Sequence, residues 1–393
     1  MPVLPAPGLG GLRHGDVCLD EQEGCADEHA VNLDAPISGR DVPPAPESAR
    51  RKTNPPCCSL APVKAWVVHE LGGPESLRFE DVDPGQRADG LVRIEVRAAS
   101  INFPDALMVA GLYQAKPDLP FVPGFEVSGM VLEAQQESGF QPGDRVMALL
   151  DSAGLTHGGY GEIADASAAA VFNMPESMPF DEAAGFTLVF QTGWFGLHRR
   201  ASLQPGETLL VHAGAGGVGS AAIQLGKAAG ATVIATAGSD QKVALCKQLG
   251  ADLALNYKTQ DFVEEVNRAT AGRGADVIFD PVGGDVYDRS TKCIAFEGRI
   301  VLVGFTSGRI PQAAANHVLV KNYSVVGLHW GLYRKRAPEL IPVAQTALLD
   351  LYRQGKIKTH ISTRLPLKQA PRAMAMVAEG KSTGKVVLLT KSS

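Results

Sequence analysis

Apolar and polar positions follow two different rhythms along this chain. Between residues 63 and 184 the runs are short: VKAWVVHE, LRFEDV and LVRIEVRAASIN are rich in β-branched and aromatic residues, and PGF, PGDR and HGGYGE interrupt them with turn formers. This predicts a compact, mainly β domain. Residues 179–201 (PFDEAAGFTLVFQTGWFGLHRRA) open on an acidic turn and read as helical, a connection between two domains. Then the rhythm changes. Leu209, Leu210 and Val211 form an apolar run of the kind covered on both faces of a sheet, while Val218, Ala221, Ala222, Leu225 and Ala229 recur at helical spacing. Strands are expected again at 232–237, 253–257, 275–280, 299–303 and 323–328, with helical segments between most of them, and such alternation predicts a doubly wound parallel sheet. Beyond 337 come a helix, a strand-like THISTRLPL, a short helix and a final KVVLLT strand, which needs a partner that the first domain is expected to supply.

The turn after Val211 carries chemistry. Gly214, Gly216 and Gly219 fit the spacing G-x-G-x-x-G, with Ala215, Gly217 and Val218 between them. The first glycine permits the tight turn, the second lets a pyrophosphate approach the backbone, and the third lets helix and strand pack closely. A strand before it, a helix after it and a second strand beyond turn a weak pattern into a dinucleotide site, with the free N–H groups of the first helical turn facing the phosphates.

Composition narrows the class. The 393 residues are 45% apolar and 20% charged, ordinary for a soluble globular protein of two or three domains. Residues 1–62 hold nine acids and five bases, a net −4, so the rest contributes only −1 of the total −5 and offers nothing to nucleic acid. Four of the six cysteines (Cys18, Cys25, Cys57, Cys58) lie in that leader, and Cys246 and Cys293 are isolated, which argues for a reducing, cytoplasmic setting against a disulfide framework or zinc cluster. No apolar run approaches the roughly 18 residues of a membrane span. The leader is rich in Pro and Gly, lacks a sustained period and reads as disordered. Asp16, Asp20, Glu21, Glu23, Asp27 and Glu28 set it apart from an organelle transit peptide. The globular pattern starts at Val63, and a GTG codon there would make the leader no part of the native protein, a hypothesis that the mass of the native chain tests.

The segments NFPDALMVAGLYQ, LPFVPGFEVSG, PGDRV, HAGAGGVG, DPVGGD, GRIVLVGF and STGKVVL together resemble the zinc-independent quinone oxidoreductase branch of the medium-chain dehydrogenase/reductases, over residues 63–390. The resemblance implies an α/β chain of two parts: a GroES-like, mainly β catalytic domain (63–185, completed by a return at 325–393) and a Rossmann domain (186–324). It also implies an NADPH cofactor and a homodimer, paired through the edge strand at 323–328, since a bare apolar edge would invite aggregation. Zinc alcohol dehydrogenases carry Gly-His-Glu where this chain has Gly124-Phe125-Glu126, and a ligand cysteine where it has Asn102-Phe103-Pro104-Asp105; their four-cysteine lobe is missing. The metal site is therefore expected to be absent. On their own Asn102 and Asp105 read equally as turn formers; the resemblance puts both beside the nicotinamide. Glu126 reads as a structural carboxylate and is not assigned to catalysis.

Without a metal to stabilise an alkoxide, simple ketones are poor acceptors. A quinone or an α,β-unsaturated carbonyl spreads the charge onto its own oxygen, held by Asn102 or a backbone N–H, with the proton following from water. Enoyl-CoA thioesters are an alternative acceptor, and a nucleotide-binding sensor or structural protein with little turnover is the alternative of another class. Tyr113 and Tyr160 are candidates to line the cleft, though a tyrosine in a β-rich domain is more often a core residue with a satisfied hydroxyl. NAD sites place an acid near the end of the second Rossmann strand; here the corner is Ala237-Gly238-Ser239, and Asp240 reads as a helix N-terminus. In the resembling family a lysine and a tyrosine at the places of Lys242 and Tyr257 grip the 2′-phosphate. By the same carry-over Ser239, Thr192, Gly304 and Phe305 line the cofactor, though each also reads as structural. His69 and His212 are expected to be packed in strands. Segments 107–120 and 329–336 are expected to shape the acceptor pocket, and Arg334, Lys335 and Arg336 read as solvated surface, with a CoA phosphate as the alternative.

Overall fold

The computed structural model describes residues 60–390, and nearly all of the leader lies outside them. Strands β1 (Val63–Val68) and β2 (Leu77–Val82) form an antiparallel pair. The long β3 (Leu91–Ile101) is the spine of a larger sheet with β4 (Glu126–Glu133), β5 (Arg145–Leu149), β6 (Ile163–Ser167) and β7 (Val171–Asn173). Between β3 and β4 lies the short helix α1 (Phe103–Val109). Residues 179–201, read as one helix, form α2 (Phe180–Ala184), α3 (Thr187–Trp194) and a π-helical turn at Phe195–Arg200. The break at Gly185 falls where the chain is hemmed in, since a Cβ there would stand 3.1 Å from Thr359 Cγ2 and 3.3 Å from the Lys385 side chain.

The parallel sheet contains β8 (Thr208–Val211), β9 (Thr232–Ala237), β10 (Leu253–Asn256), β11 (Ala275–Asp280), β12 (Ile294–Leu302) and β13 (Ser324–Gly327), in the order β10-β9-β8-β11-β12-β13. The winding reverses between β8 and β11, which opens the ligand crevice at their carboxyl ends. Helices α4 (Gly217–Ala228), α5 (Asp240–Gln248), α6 (Phe262–Ala269), α7 (Gly284–Ser290) and α8 (Ala315–Lys321) link the strands. The apolar strands are buried on both faces: Leu209 and Val211 pack with α3 and α4, while Leu210, Ile234 and Ile278 pack with Phe262 and Val266. β12 starts five residues before the expected 299, because Ile294 pairs with Ala275 across an irregular register.

The chain then returns through α9 (Trp330–Arg336), α10 (Leu340–Arg353), β14 (Ile361–Pro366), α11 (Ala370–Ala378) and β15 (Lys385–Leu389). As expected, the last strand finds its partner in the first domain: β15 runs antiparallel to β3, Val386 opposite Ile101, with β14 parallel on its other side. Val386, Leu388, Ala373 and Met374 complete the apolar core of the β-rich domain.

Candidate active site and cofactor cradle

The turn from β8 into α4 is shaped by missing side chains. A Cβ on Gly219 would stand 2.2 Å from the carbonyl oxygen of Ala213, and one on Gly214 would meet Cys246 Sγ at 2.9 Å and Ala235 Cβ at 3.0 Å. Ala213 itself takes a left-handed φ of 50°, and its carbonyl accepts the Gly216 N–H at 2.8 Å. Gly216 is the N-cap of α4 and has no side chain to cover it, so the N–H groups of Gly217, Val218 and Gly219 at the first turn have no intrahelical acceptor. A side-chain-free cradle at the amino end of a 12-residue helix, at the reversal point of the sheet, fits the pyrophosphate of a dinucleotide.

At the far end of β9, Ser239 caps α5, its Oγ accepting the Lys242 N–H at 3.3 Å. Asp240 accepts Asn256 Nδ2 at 2.8 Å, in keeping with its reading as part of a helix start. One oxygen of that acid is thereby engaged with the end of β10, and the corner residues Gly238 and Ser239 carry no acid. Tyr257, half exposed, lies over Gly238, where a Cβ would be 2.7 Å from its hydroxyl. Lys242 is close to the same corner through the cap, and its Nζ donates to Gly380 O at 2.8 Å. Gly304 and Phe305 follow β12 at the carboxyl edge; Phe305 is partly exposed, next to Gly283. Thr192 is buried in α3 with its hydroxyl proton given to Leu188 O at 2.7 Å, so it has only lone pairs to offer a ligand.

On the other side, Asn102 and Asp105 open α1 but face inward. Asp105 is fully buried; its Oδ2 accepts the Asn102 N–H at 2.6 Å and the Tyr160 hydroxyl at 2.8 Å, and its Oδ1 accepts the Phe125 N–H at 3.2 Å. Burial pushes its pKa up to about 7, against the lowering effect of the Asn102 N–H, Tyr160 and Lys385. Such a carboxyl holds the loop through these three contacts. Asn102, 5% exposed, has its Oδ1 on Lys385 Nζ at 2.6 Å and its Nδ2 3.2 Å from Ser100 Oγ and 3.4 Å from Glu126 Oε1. The amide expected to hold an acceptor oxygen is thus engaged within the protein. Tyr160 is a buried core residue with a satisfied hydroxyl, whereas Tyr113 is half buried and its hydroxyl has no hydrogen-bond partner among the described residues.

The hub of this network is Lys385, which sequence reading passed over inside the KVVLLT strand. It is 3% exposed, and its Nζ pairs with Glu126 Oε1 at 2.9 Å. Glu126 also takes the Ser100 hydroxyl at 2.5 Å and, through Oε2, the Leu188 N–H at 3.0 Å in the first turn of α3, where a carboxylate complements the helix dipole. Its structural reading fits. The residue before Lys385 ties the tail to the cradle: Gly384 N–H donates to Ala215 O at 2.6 Å, and the Lys385 stem lies 3.4 Å from the Cβ position of Gly217. A lysine opening an otherwise apolar strand was the one signal available in the sequence. Phe125 packs edge-on against Tyr113, ring centroids 5.6 Å apart.

His212 is packed as expected, 2.9 Å from Thr236 Oγ1 and 2.8 Å from Ser290 Oγ; burial and Arg289 push its pKa down to about 3. His69 is not packed. It stands exposed beyond β1 and pairs with Glu80 at 2.9 Å, because β1 ends at Val68 and the histidine falls past the sheet.

Comparison with known proteins agrees with this arrangement. A zinc-binding dehydrogenase model matches residues 217–346, and an alcohol dehydrogenase GroES-like domain model matches 88–176. Quinone oxidoreductase-like protein 2 of Bos taurus is 38% identical, over 84% of this chain and 93% of its own, and the Nematostella vectensis homologue is 37% identical, over 84% and 89%. The chain belongs to the quinone oxidoreductase group of the medium-chain dehydrogenase/reductases. Among solved members of that superfamily, the Escherichia coli quinone oxidoreductase complexed with NADPH is 30% identical with a TM-score of 0.75, covering 83% of this chain and 99% of its own. A mycobacterial protein complexed with NADPH has the same identity and coverage and a TM-score of 0.76. The two halves described above are accordingly the GroES-like and Rossmann parts of this fold, and the protein is an oxidoreductase of that superfamily. Among the described residues no helix is long and apolar enough to cross a membrane.

Proposed function

We propose that the protein transfers a hydride from NADPH to a quinone or another α,β-unsaturated carbonyl acceptor, without zinc. One observation carries this reading: the place of the histidine ligand is filled by Phe125, whose ring packs on Tyr113, directly beside a dinucleotide cradle tied to the same network through Gly384 and Lys385. An aromatic ring cannot donate to zinc, and the neighbouring Asn102 and Glu126 are spent on Lys385, so the residues present do not fit a catalytic metal. NADPH bound in the cradle would supply the hydride, and the acceptor would delocalise the charge that develops. The chain's own residues orient and exclude. Asn102 and Asp105 hold the α1 loop in place, and the acceptor oxygen falls to a backbone N–H, since the Asn102 amide is engaged. The corner at Gly238, with Lys242 and Tyr257 beside it and no acid at Gly238 or Ser239, supports NADPH over NADH. Two solved relatives are complexed with NADPH, which supports the same choice.

The enoyl thioester alternative has support in an enoyl reductase of solved structure that is 30% identical with a TM-score of 0.73. A homodimer through β13 belongs to the same proposal. That strand is the sheet's edge, and Leu319 and Val320 of the preceding α8 are left 76% and 78% exposed. Mixing the protein and NADPH with a panel of quinones, enones and enoyl-CoA esters, with and without a chelator, tests the function. Turnover that survives chelation supports it. Turnover restored only by zinc refutes the metal-free mechanism, and tight NADPH binding with no acceptor oxidising it would favour the sensor reading.

A further inference from the structure

Helix α9 begins just after β13, at the carboxyl edge of the sheet that also bears the glycine turn, and its last turn carries Arg334, Lys335 and Arg336. The sequence treats these three alike; the structure separates them. Lys335 and Arg336 are exposed, while Arg334 is partly buried and reaches the other domain, where its Nη1 donates to Leu150 O at 3.2 Å. The Leu150 N–H in turn donates to the carbonyl of Phe125 at 2.8 Å, so the guanidinium abuts the segment that replaces the metal-ligand motif. Burial lowers the Arg334 pKa, and the groups facing it are Asp151 and Tyr113. Asp151 makes no ion pair with it and instead accepts the Ala153 N–H at 3.0 Å. Tyr113, on the 107–120 segment and against Phe125, brings a half-buried hydroxyl with no hydrogen-bond partner among the described residues.

A partly buried guanidinium that meets Asp151 only at long range and spends one of its five donors on a carbonyl is stabilised by further negative charge. Its planar fork matches a carboxylate or a phosphate. Resting on the reductase reading above, we propose that Arg334, with the Tyr113 hydroxyl beside it, anchors an acidic acceptor: an enone or enoyl thioester whose carboxylate or phosphate sits on the guanidinium while its conjugated end faces the cofactor side. Lys335 and Arg336 stay in solvent and take no part.

Two matched pairs of acceptors test this: a neutral arylidene ketone against its ring-carboxylated form, and an enoyl N-acetylcysteamine thioester against the same enoyl-CoA. The first pair reads a carboxylate and the second a phosphate. Wild type is expected to show a KM about tenfold or more lower for the charged member of at least one pair. Arg334→Gln should raise that KM about tenfold to a hundredfold and leave the neutral member within about twofold. Arg334→Lys should keep part of the preference, and Lys335→Gln should change nothing. If wild type distinguishes neither pair, or if Arg334→Gln impairs both members equally or weakens NADPH binding, Arg334 is an interdomain strap and the proposal is overturned. Should no compound oxidise NADPH, the reductase reading fails separately. Calorimetric titration of the charged compounds then decides the anchor: binding that Arg334→Gln weakens about tenfold upholds it, and absent or unchanged binding refutes it.

Discussion

The glycine cradle and the Lys385 network stand in the two domains of one enzyme-like fold and are built on opposite plans. The cradle works by subtraction: side chains are missing at Gly214, Gly216 and Gly219, the backbone comes close, and the helix N–H groups are left for a ligand. The network works by completion. Ser100, Asn102, Asp105, Glu126, Tyr160 and Lys385 are buried, and their polar atoms meet one another or nearby backbone N–H groups. Open donors mark a binding surface, while satisfied buried charges mark the frame that holds it. The side chains of Asn102 and Asp105 are tied into this network.

Removing the hub should break this contrast hardest. Lys385→Met strands the Glu126 carboxylate, which is 1% exposed, and should cost about 3–5 kcal/mol in a denaturant titration. Glu126→Gln added to it should restore much of the loss. A single variant as stable as wild type would mean that the pair holds nothing.

The second effect is on pH. Burial raises the Asp105 pKa to about 7, above the roughly 3.9 of an unfolded aspartate, so between those values the native state holds a proton that the unfolded chain has released. Its contribution is whole below about pH 4 and falls as pH rises through 7, by at most about 1.4 kcal/mol per unit. Tyr160→Phe removes a donor to the carboxylate, raises its pKa further and should carry that fall on to higher pH at the same slope, at a cost of roughly 1.5–3 kcal/mol on the alkaline side. Denaturation of both proteins between acid and mildly alkaline pH measures it, and parallel curves would contradict the assignment.

Within the cradle, backbone contact should separate two glycines. Gly219→Ala drives a Cβ into the Ala213 carbonyl and should cost about 1–3 kcal/mol and impair NADPH binding. Gly217→Ala meets only the side chains of Val189 and Lys385, at 3.3 and 3.4 Å, and should stay within about 1 kcal/mol. Equal losses would show that the cradle is not shaped by the Ala213 approach.

The smallest effect concerns cofactor choice. Lys242→Ala should weaken NADPH about tenfold and NADH hardly at all, the lower end of what a charge-assisted contact gives, because Lys242 is shared with the Gly380 carbonyl. Nicotinamide fluorescence reads both affinities, and equal weakening would move the lysine to the pyrophosphate or the fold. Gly238→Asp is the blunter tool, since its Cβ must displace the Tyr257 hydroxyl before its acid can act.

What the sequence determined is what depends on neighbours along the chain. The strand, glycine turn and helix of 208–229 follow from apolar period and glycine spacing, and the absence of an acid at Gly238 is visible in three letters. The need of the last strand for a partner in the first domain was legible too, since an apolar strand must be covered. What the tertiary structure alone decided is which polar groups face one another. Glu126 and Lys385 are 259 residues apart, and β15 must lie antiparallel on β3 before the lysine can reach Asn102. The same holds for Arg334, one of three adjacent basic residues, which is set apart by the path of α9 across the seam to Leu150. Period and spacing report on local backbone geometry, but the pairing of charges is settled by burial, which exists only once distant segments have packed.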